Sequence, residues 1–139
     1  MGRKRHLLVD TDGLILKVRV HAADLQDRDG AALVLDQMDA PPLSQIELIW
    51  ADGGYAGDKL QGWMQTRFGT RPLRWEIVRR NDTQKGFAVL PRRWVVERTF
   101  GWLHQFRRLS KDYEFLTDSS EAFILLAAAR LLISRLAKS

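Results

Sequence analysis

A carboxylate set where an apolar run gives way to glycines is the first residue of this chain with the means to do chemistry. Asp52 follows Ile46-Glu47-Leu48-Ile49-Trp50-Ala51 and precedes Gly53-Gly54-Tyr55. It therefore falls at the carboxyl end of an expected strand, where open α/β sheets place their ligand sites. The two glycines permit a sharp turn and let a phosphate or a metal ion approach the backbone. The same pattern also fits a plain turn aspartate ahead of glycine.

Glu97 is the second carboxylate. At 3.6 residues per turn, Arg93, Glu97, Gly101, His104 and Arg108 fall on one narrow helical face. Val95, Thr99, Trp102 and Phe106 lie opposite, flanked by Val96 and Leu103, and should face the core. Gly101 removes bulk one turn beyond Glu97. A carboxylate among cations with a gap beside it suits a metal ion and a phosphodiester. The alternative is an ordinary amphipathic helix with Glu97 neutralised by Arg93 at i−4, a pair worth only ~0.3–0.5 kcal/mol. Trp94 flanks the polar stripe and could stack on a flipped base or shield the site. Most of the other tryptophans fit a core.

The remaining polar clusters are weaker. Asp24, Asp27 and Asp29 crowd before Gly30, but Leu25 occupies the first-ligand slot of a calcium loop and Asp36 stands where a bidentate glutamate is needed. A solvated loop and helix cap is the better reading. Asp10 and Asp12 read as turn residues, and His6, His21 and His104 lack zinc spacing. No nucleophile elbow supports a serine triad. Cysteine is absent, which excludes disulfides, thiol nucleophiles and thiolate metal sites.

The elements that must position these residues are legible from periodicity and punctuation. Residues 6–20 read as a hairpin, with Asp12-Gly13 suited to a tight turn needing positive φ. Asp29 can cap a helix over about 31–38, broken by Pro41-Pro42. A strand over 46–50, a helix over 58–68 closed by Gly69 and a strand over 75–78 follow, then a polar loop over 79–86. Pro91 opens a helix running to about residue 108. The last helix covers 118–138, with Asp118 and Glu121 at capping-box spacing. The layout is α/β with a mixed sheet, one domain over 1–139.

The net charge is +5, and the doublets Arg79-Arg80, Arg92-Arg93 and Arg107-Arg108 concentrate it. Arginine forks match phosphate oxygens, so nucleic acid is a natural partner; a solvated basic face is the plainer alternative. The basic start shows no secretory h-region, and the apolar run 122–129 is interrupted by Arg130 and Arg135 below spanning length. The expectation is a soluble cytoplasmic protein without a membrane partner.

Several long motifs in register now carry a resemblance over nearly the whole chain. Gly2-Arg3-Lys4-Arg5-His6-Leu7-Leu8-Val9-Asp10-Thr11, His21-Ala22-Ala23-Asp24-Leu25-Gln26-Asp27-Arg28-Asp29-Gly30, Ala51-Asp52-Gly53-Gly54-Tyr55 and Arg92-Arg93-Trp94-Val95-Val96-Glu97-Arg98-Thr99-Phe100 resemble insertion-sequence family five transposases. Arg107-Arg108-Leu109 and Lys111-Asp112-Tyr113-Glu114 continue the match. The resemblance implies an RNase H-like fold and a DDE triad holding two magnesium or manganese ions. That site cuts DNA at transposon ends and joins the freed 3′-hydroxyl to target DNA. Asp52 matches the second aspartate, Glu97 the glutamate, and Arg93 the arginine of the tyrosine–arginine–glutamate–lysine signature. Leu90 stands at the signature's tyrosine position and His104 at its lysine. Arg93, Trp94, Arg98, His104 and Arg108 are the residues expected at DNA.

In the family the first aspartate lies on a strand before the hairpin. The chain thus reads as the C-terminal part of a domain whose first strand is missing. Either it is a remnant, or it is the downstream frame of an element joined by frameshifting to an upstream N-terminal portion. The partners implied are the terminal inverted repeats, target DNA and, in the complete enzyme, further copies of itself. A non-catalytic DNA-binding remnant or regulator is the alternative, and a host nuclease of similar fold is a third reading.

Overall fold

The computed structural model describes residues 2–36, 38–39, 43–69, 71, 73–78, 91–109 and 116–139, with the side chains at 91–94 and 108 outside that description. The chain divides into two compact units. One joins Met1–Asp24 to Val95–Ser139, and the other is the continuous segment Leu25–Trp94.

The discontinuous unit begins with strand β1 (Arg3–Val9) and strand β2 (Ile15–Ala22), paired antiparallel with Arg3 opposite Ala22 and Leu8 opposite Lys17. Asp10 makes the reversal: its Oδ1 accepts the backbone N–H groups of Asp12 and Leu14, both at 2.9 Å. This is the local side-chain capture that favours aspartate in turns. Of the expected Asp12-Gly13 pair, only Gly13 takes positive φ (82°). The connection is therefore a longer loop built on Asp10, not a two-residue turn, and the ladder slips at Val9.

Helix α3 (Pro91–His104) and helix α4 (Thr117–Lys138) complete this unit. Val18, Val20, Leu103, Leu109, Ile124 and Ala127 form its buried core, with Leu7, Ile15, Phe106 and Phe123 packed against it. Helix α3 stops four residues short of the expected end. Gln105 and Phe106 donate to carbonyls three residues back, and a 3-10 turn over Arg107–Leu109 follows, so Arg108 leaves the helical stripe. The capping box of α4 is not made. Glu121 instead accepts the Val20 N–H at 2.8 Å and lies 3.6 Å from the Arg19 guanidinium, fastening α4 to β2.

In the continuous unit, helix α1 (Asp27–Leu35) starts four residues before its expected beginning, behind Gln26, with Asp27 and Asp29 in its first turn. Both acids suit the positive end of the helix dipole, so Asp29 lies within the helix and does not cap it. Strand β3 (Leu48–Ala51) and strand β4 (Arg74–Ile77) pair parallel, with Ile49 opposite Trp75. Helix α2 (Asp58–Phe68) makes the crossover between them. Its bounds are the expected ones, although Gly69 closes it in the right-handed region. Leu60, Met64 and Phe68 are buried on α2, and Ala31, Val34 and Leu35 on α1, which packs against it. Arg71 ties the connecting loops by donating to the carbonyls of Met38, Leu43 and Ile46.

The single mixed sheet expected from the order of elements is, among the described residues, two two-stranded sheets. Each ladder joins strands that are neighbours in sequence, one through a hairpin and one through a crossover helix. The architecture is mixed α/β. The loop expected over 79–86 and the break at Pro41-Pro42 lie outside the described residues. No described helix is long and apolar enough to cross a membrane.

Candidate active site

Strand β3 ends at Ala51 and delivers Asp52 in extended conformation as the N-cap of a 3-10 turn over Gly53–Tyr55. The Gly54 N–H donates to Asp52 Oδ1 at 2.9 Å, and the Tyr55 N–H donates to the Asp52 carbonyl at 3.1 Å. One carboxylate oxygen is thereby held by the backbone of its own turn, and the residue stays exposed.

Asp27 of α1 also approaches this turn. A Cβ built on Gly54 would sit 3.0 Å from Asp27 Oδ2 and 3.1 Å from Asp52 Oδ1. Two carboxylates from α1 and from the β3 turn therefore flank the bare α-carbon of Gly54. Tyr55 follows, and its phenol is pushed well above the ordinary tyrosine range, first by burial and then by the charges of Asp52 and Asp27. Both effects disfavour the phenolate, so Tyr55 is a neutral hydroxyl beside two acids. Lys59 on α2 donates to Asp29 at 3.0 Å and steadies α1 from the side. The only hint of this grouping in the sequence is that Asp27 precedes the expected helix, whose first turn in fact begins at Asp27.

In the other unit, Glu97 is exposed on α3, as is His104 in its last turn. A side chain at Gly101 would meet nothing within 4 Å among the described residues, so the expected gap beside Glu97 exists. The opposite face of α3 is inward as anticipated, with Thr99 and Leu103 buried and Val95, Trp102 and Phe106 partly so. Thr99 Oγ1 is 2.8 Å from the Gly13 carbonyl and 3.1 Å from that of Val95.

Arg98 turns inward as well. Its guanidinium donates to the Asp12 carbonyl at 3.0 Å and lies 4.7 Å from the Trp102 ring centre. Arg135 of α4 reaches the same carbonyl at 3.3 Å and the same ring at 4.3 Å. Trp102 thus carries two guanidinium groups, and both converge on the hairpin turn. The side chains of Arg93, Trp94 and Arg108 are outside the described residues. His6 and His21, which have no metal spacing in sequence, stack at 4.6 Å across the hairpin.

Asp52 and Glu97 offer only carboxylate oxygens, the donor type hard divalent cations prefer. Among the described residues no group of three histidines, cysteines or acids is arranged to hold a metal ion. The donor chemistry of each thus suits a hard divalent ion.

Comparison with known proteins agrees with the motifs. Residues 1–132 match the family model described as a transposase DDE domain. A protein of Burkholderia cepacia, described as a candidate transposase for insertion sequence element IS402, is 30% identical over 131 residues. That alignment covers 90% of this chain and 60% of the relative, so the chain spans less than two thirds of the relative's length. No solved structure matches. With nearly its whole length accounted for by the family model, the chain belongs to the DDE transposase domain family.

Proposed function

We propose that this chain is the C-terminal catalytic portion of an insertion-sequence transposase of family five, with an RNase H-like fold, acting on DNA in the cytoplasm. The carrying observation is that Asp52 and Glu97, the two carboxylates at family motif positions, are both exposed, one on a braced turn and one beside an open glycine.

Asp52 and Glu97 would hold the divalent ions, Mg²⁺ or Mn²⁺. When bound, such ions supply charge neutralisation at the scissile phosphate and a route for oxygen nucleophiles. The Gly54 N–H fixes the rotation of the Asp52 carboxylate before any ligand arrives, which lowers the reorganisation needed on binding. Gly101 leaves room for a sugar–phosphate backbone beside Glu97. Arg93, His104 and Arg108 supply contacts to DNA phosphates, and Trp94 a stacking surface for a base. Arg98 serves chiefly by holding α3 to the hairpin turn, because its guanidinium is already engaged with Asp12 and Trp102.

The test is strand cleavage of DNA carrying the element's ends by the complete transposase. Glu97→Ala and Asp52→Ala should each reduce cleavage at least ~100-fold with unchanged circular dichroism, since both residues are exposed. Cleavage retained by either variant refutes its assignment. For this chain alone, the two-carboxylate set favours a second reading, a DNA-binding portion without activity. That reading expects affinity for DNA that falls steeply with salt and ignores Mg²⁺.

A further inference from the structure

Asp12, Asp29 and Asp52 are each followed by glycine. An aspartyl–glycine pair can react with itself. The glycine nitrogen attacks the side-chain carboxyl carbon of the aspartate, because no Cβ on the glycine stands in the way. The amide hydrogen and the carboxyl hydroxyl leave together as one water, and a succinimide ring closes. Water then reopens the ring at either carbonyl, returning aspartate or giving isoaspartate, in which the main chain runs through the side-chain carbons.

The ring cannot close until the peptide group between the two residues turns about the aspartate Cα–C bond. Every hydrogen bond to that peptide group resists the turn. At Asp12–Gly13 both sides are held. The Gly13 N–H donates to the Asp10 carbonyl at 3.0 Å, and the Asp12 carbonyl accepts from Arg98 at 3.0 Å and Arg135 at 3.3 Å. A Cβ on Gly13 would lie 2.9 Å from Thr99 Oγ1 and 3.1 Å from the Trp102 ring, so the glycine is also walled in. Asp29–Gly30 lies inside α1, where the Gly30 N–H donates to the Gln26 carbonyl at 3.0 Å and Lys59 holds the Asp29 carboxylate. Gly13 and Gly30 are both buried.

Asp52–Gly53 differs on each count. Both residues are exposed. The Gly53 N–H meets no acceptor among the described residues, and a Cβ there would meet nothing within 4 Å. The peptide is tied on its carbonyl side alone, by the Tyr55 N–H at 3.1 Å in one exposed turn. The bond from the Gly54 N–H to Asp52 Oδ1, at 2.9 Å, closes a small loop of atoms that passes through the Gly53 nitrogen and the carboxyl carbon. It keeps the reacting pair close. A donor on Oδ1 also stabilises the negative charge that gathers there as the nitrogen adds, with Oδ2 as the oxygen that departs.

We propose that Asp52–Gly53 is a site of spontaneous conversion to isoaspartate in the folded chain, and that the fold protects Asp12–Gly13 and Asp29–Gly30. Water is the co-reactant. The product carries its carboxylate directly on Cα and one more carbon in the main chain, so the acid retreats from the turn. Where Asp52 has the metal-binding role proposed above, the residue that does the chemistry also limits how long the site lasts. That consequence rests on the proposed role; the modification itself does not.

The test is to age the purified chain in neutral buffer made with heavy-oxygen water. Each succinimide hydrolysis leaves one heavy oxygen behind, and peptide mapping after digestion in ordinary water assigns the label among the three pairs. In the folded chain, label and isoaspartate at residue 52 should exceed those at residues 12 and 29 at least ~10-fold, since the protected pairs must first break the bonds that hold them. In concentrated urea the three pairs should react at similar rates. Gly53→Ala, whose Cβ has open space to occupy, should cut labelling at residue 52 at least ~10-fold by crowding the attacking nitrogen, with circular dichroism unchanged. Comparable labelling of the three pairs in the folded chain overturns the proposal. A preference for residue 52 that persists unchanged in urea overturns it equally, because sequence and not the fold would then decide it.

Discussion

Replacing Gly54 by alanine should loosen the Asp52 turn, while the same change at Gly53 should not. The backbone at both positions has negative φ, so neither substitution is strained in itself. At Gly53 a new Cβ meets nothing within 4 Å. There alanine only restricts the unfolded chain, a gain of about 0.4–1 kcal/mol. At Gly54 the Cβ would stand 3.0 Å from Asp27 Oδ2 and 3.1 Å from Asp52 Oδ1. Each carboxylate must retreat by a few tenths of an ångström. Turning one off its rotamer costs about 0.5–1.5 kcal/mol, and moving Asp52 also weakens the bond it accepts from the Gly54 N–H, worth about 0.5–1.5 kcal/mol. Set against the same entropic gain, Gly54→Ala should be less stable than wild type by about 1 kcal/mol, and less stable than Gly53→Ala by about 1.5 kcal/mol. Urea midpoints of the purified variants measure this directly. In the complete transposase Gly54→Ala should also slow cleavage, by less than the ~100-fold expected for displacing a positioned group by a full ångström. If Gly54→Ala is as stable as Gly53→Ala, the close approach of Asp27 and Asp52 is not a feature of the folded chain and the reasoning fails.

Two other groups have sharp expectations. The Tyr55 phenol is raised above its unfolded value near 10, so its contribution to stability is complete below about pH 10 and is lost as pH rises through that value towards the folded one. Wild type should therefore lose more stability between pH 9 and 11 than Tyr55→Phe, as read by urea midpoints across that range. Equal losses would remove the electrostatic account of Tyr55. Glu121→Ala should lower stability by about 1.5–3 kcal/mol, because it strands the Val20 N–H and the Arg19 guanidinium together. Thermal unfolding checks it, and a change under about 0.5 kcal/mol, typical of an indifferent surface position, would show that Glu121 does not tie α4 to β2.

The helices and the site carboxylates were legible in the sequence to different degrees. Helix α2 was legible to the residue, because Asp58 opens it, Gly69 ends it, and the apolar residues between keep helical spacing. The inward face of α3 was legible for the same reason, and Thr99, Trp102 and Leu103 do turn inward. Failures occur where tertiary contacts outbid local chemistry. Asp118 and Glu121 have capping-box spacing, but the Val20 N–H offers Glu121 a long-range partner and takes it. Arg98 looked like a surface cation in a basic helix, yet the Asp12 carbonyl and the Trp102 face draw it in. Asp27 was hidden because nothing in its neighbourhood points to Gly54, twenty-seven residues on. Motif matching singled out Asp52 and Glu97 as candidates, and the hold of the Gly54 N–H on Asp52 came only from the fold.

The division of the chain into a continuous unit inserted within a discontinuous one governs the order in which it can be built. Residues 25–94 close on themselves through local contacts, so they can fold while emerging from the ribosome, at about 5–20 residues per second. The leading hairpin has no such option. Its turn is gripped by Arg98 and Arg135, whose partner carbonyl lies 86 and 123 positions away along the chain. Until those arginines are synthesised, β1 and β2 are a two-stranded ribbon without its helical cover, a state marginal in water. The β1–β2 hairpin must therefore wait, several seconds at ordinary elongation rates, for α4 to be synthesised. A slowed ribosome downstream of residue 94 would prolong that interval and raise the share of chains lost to aggregation or proteolysis, with no change in the stability of the finished protein.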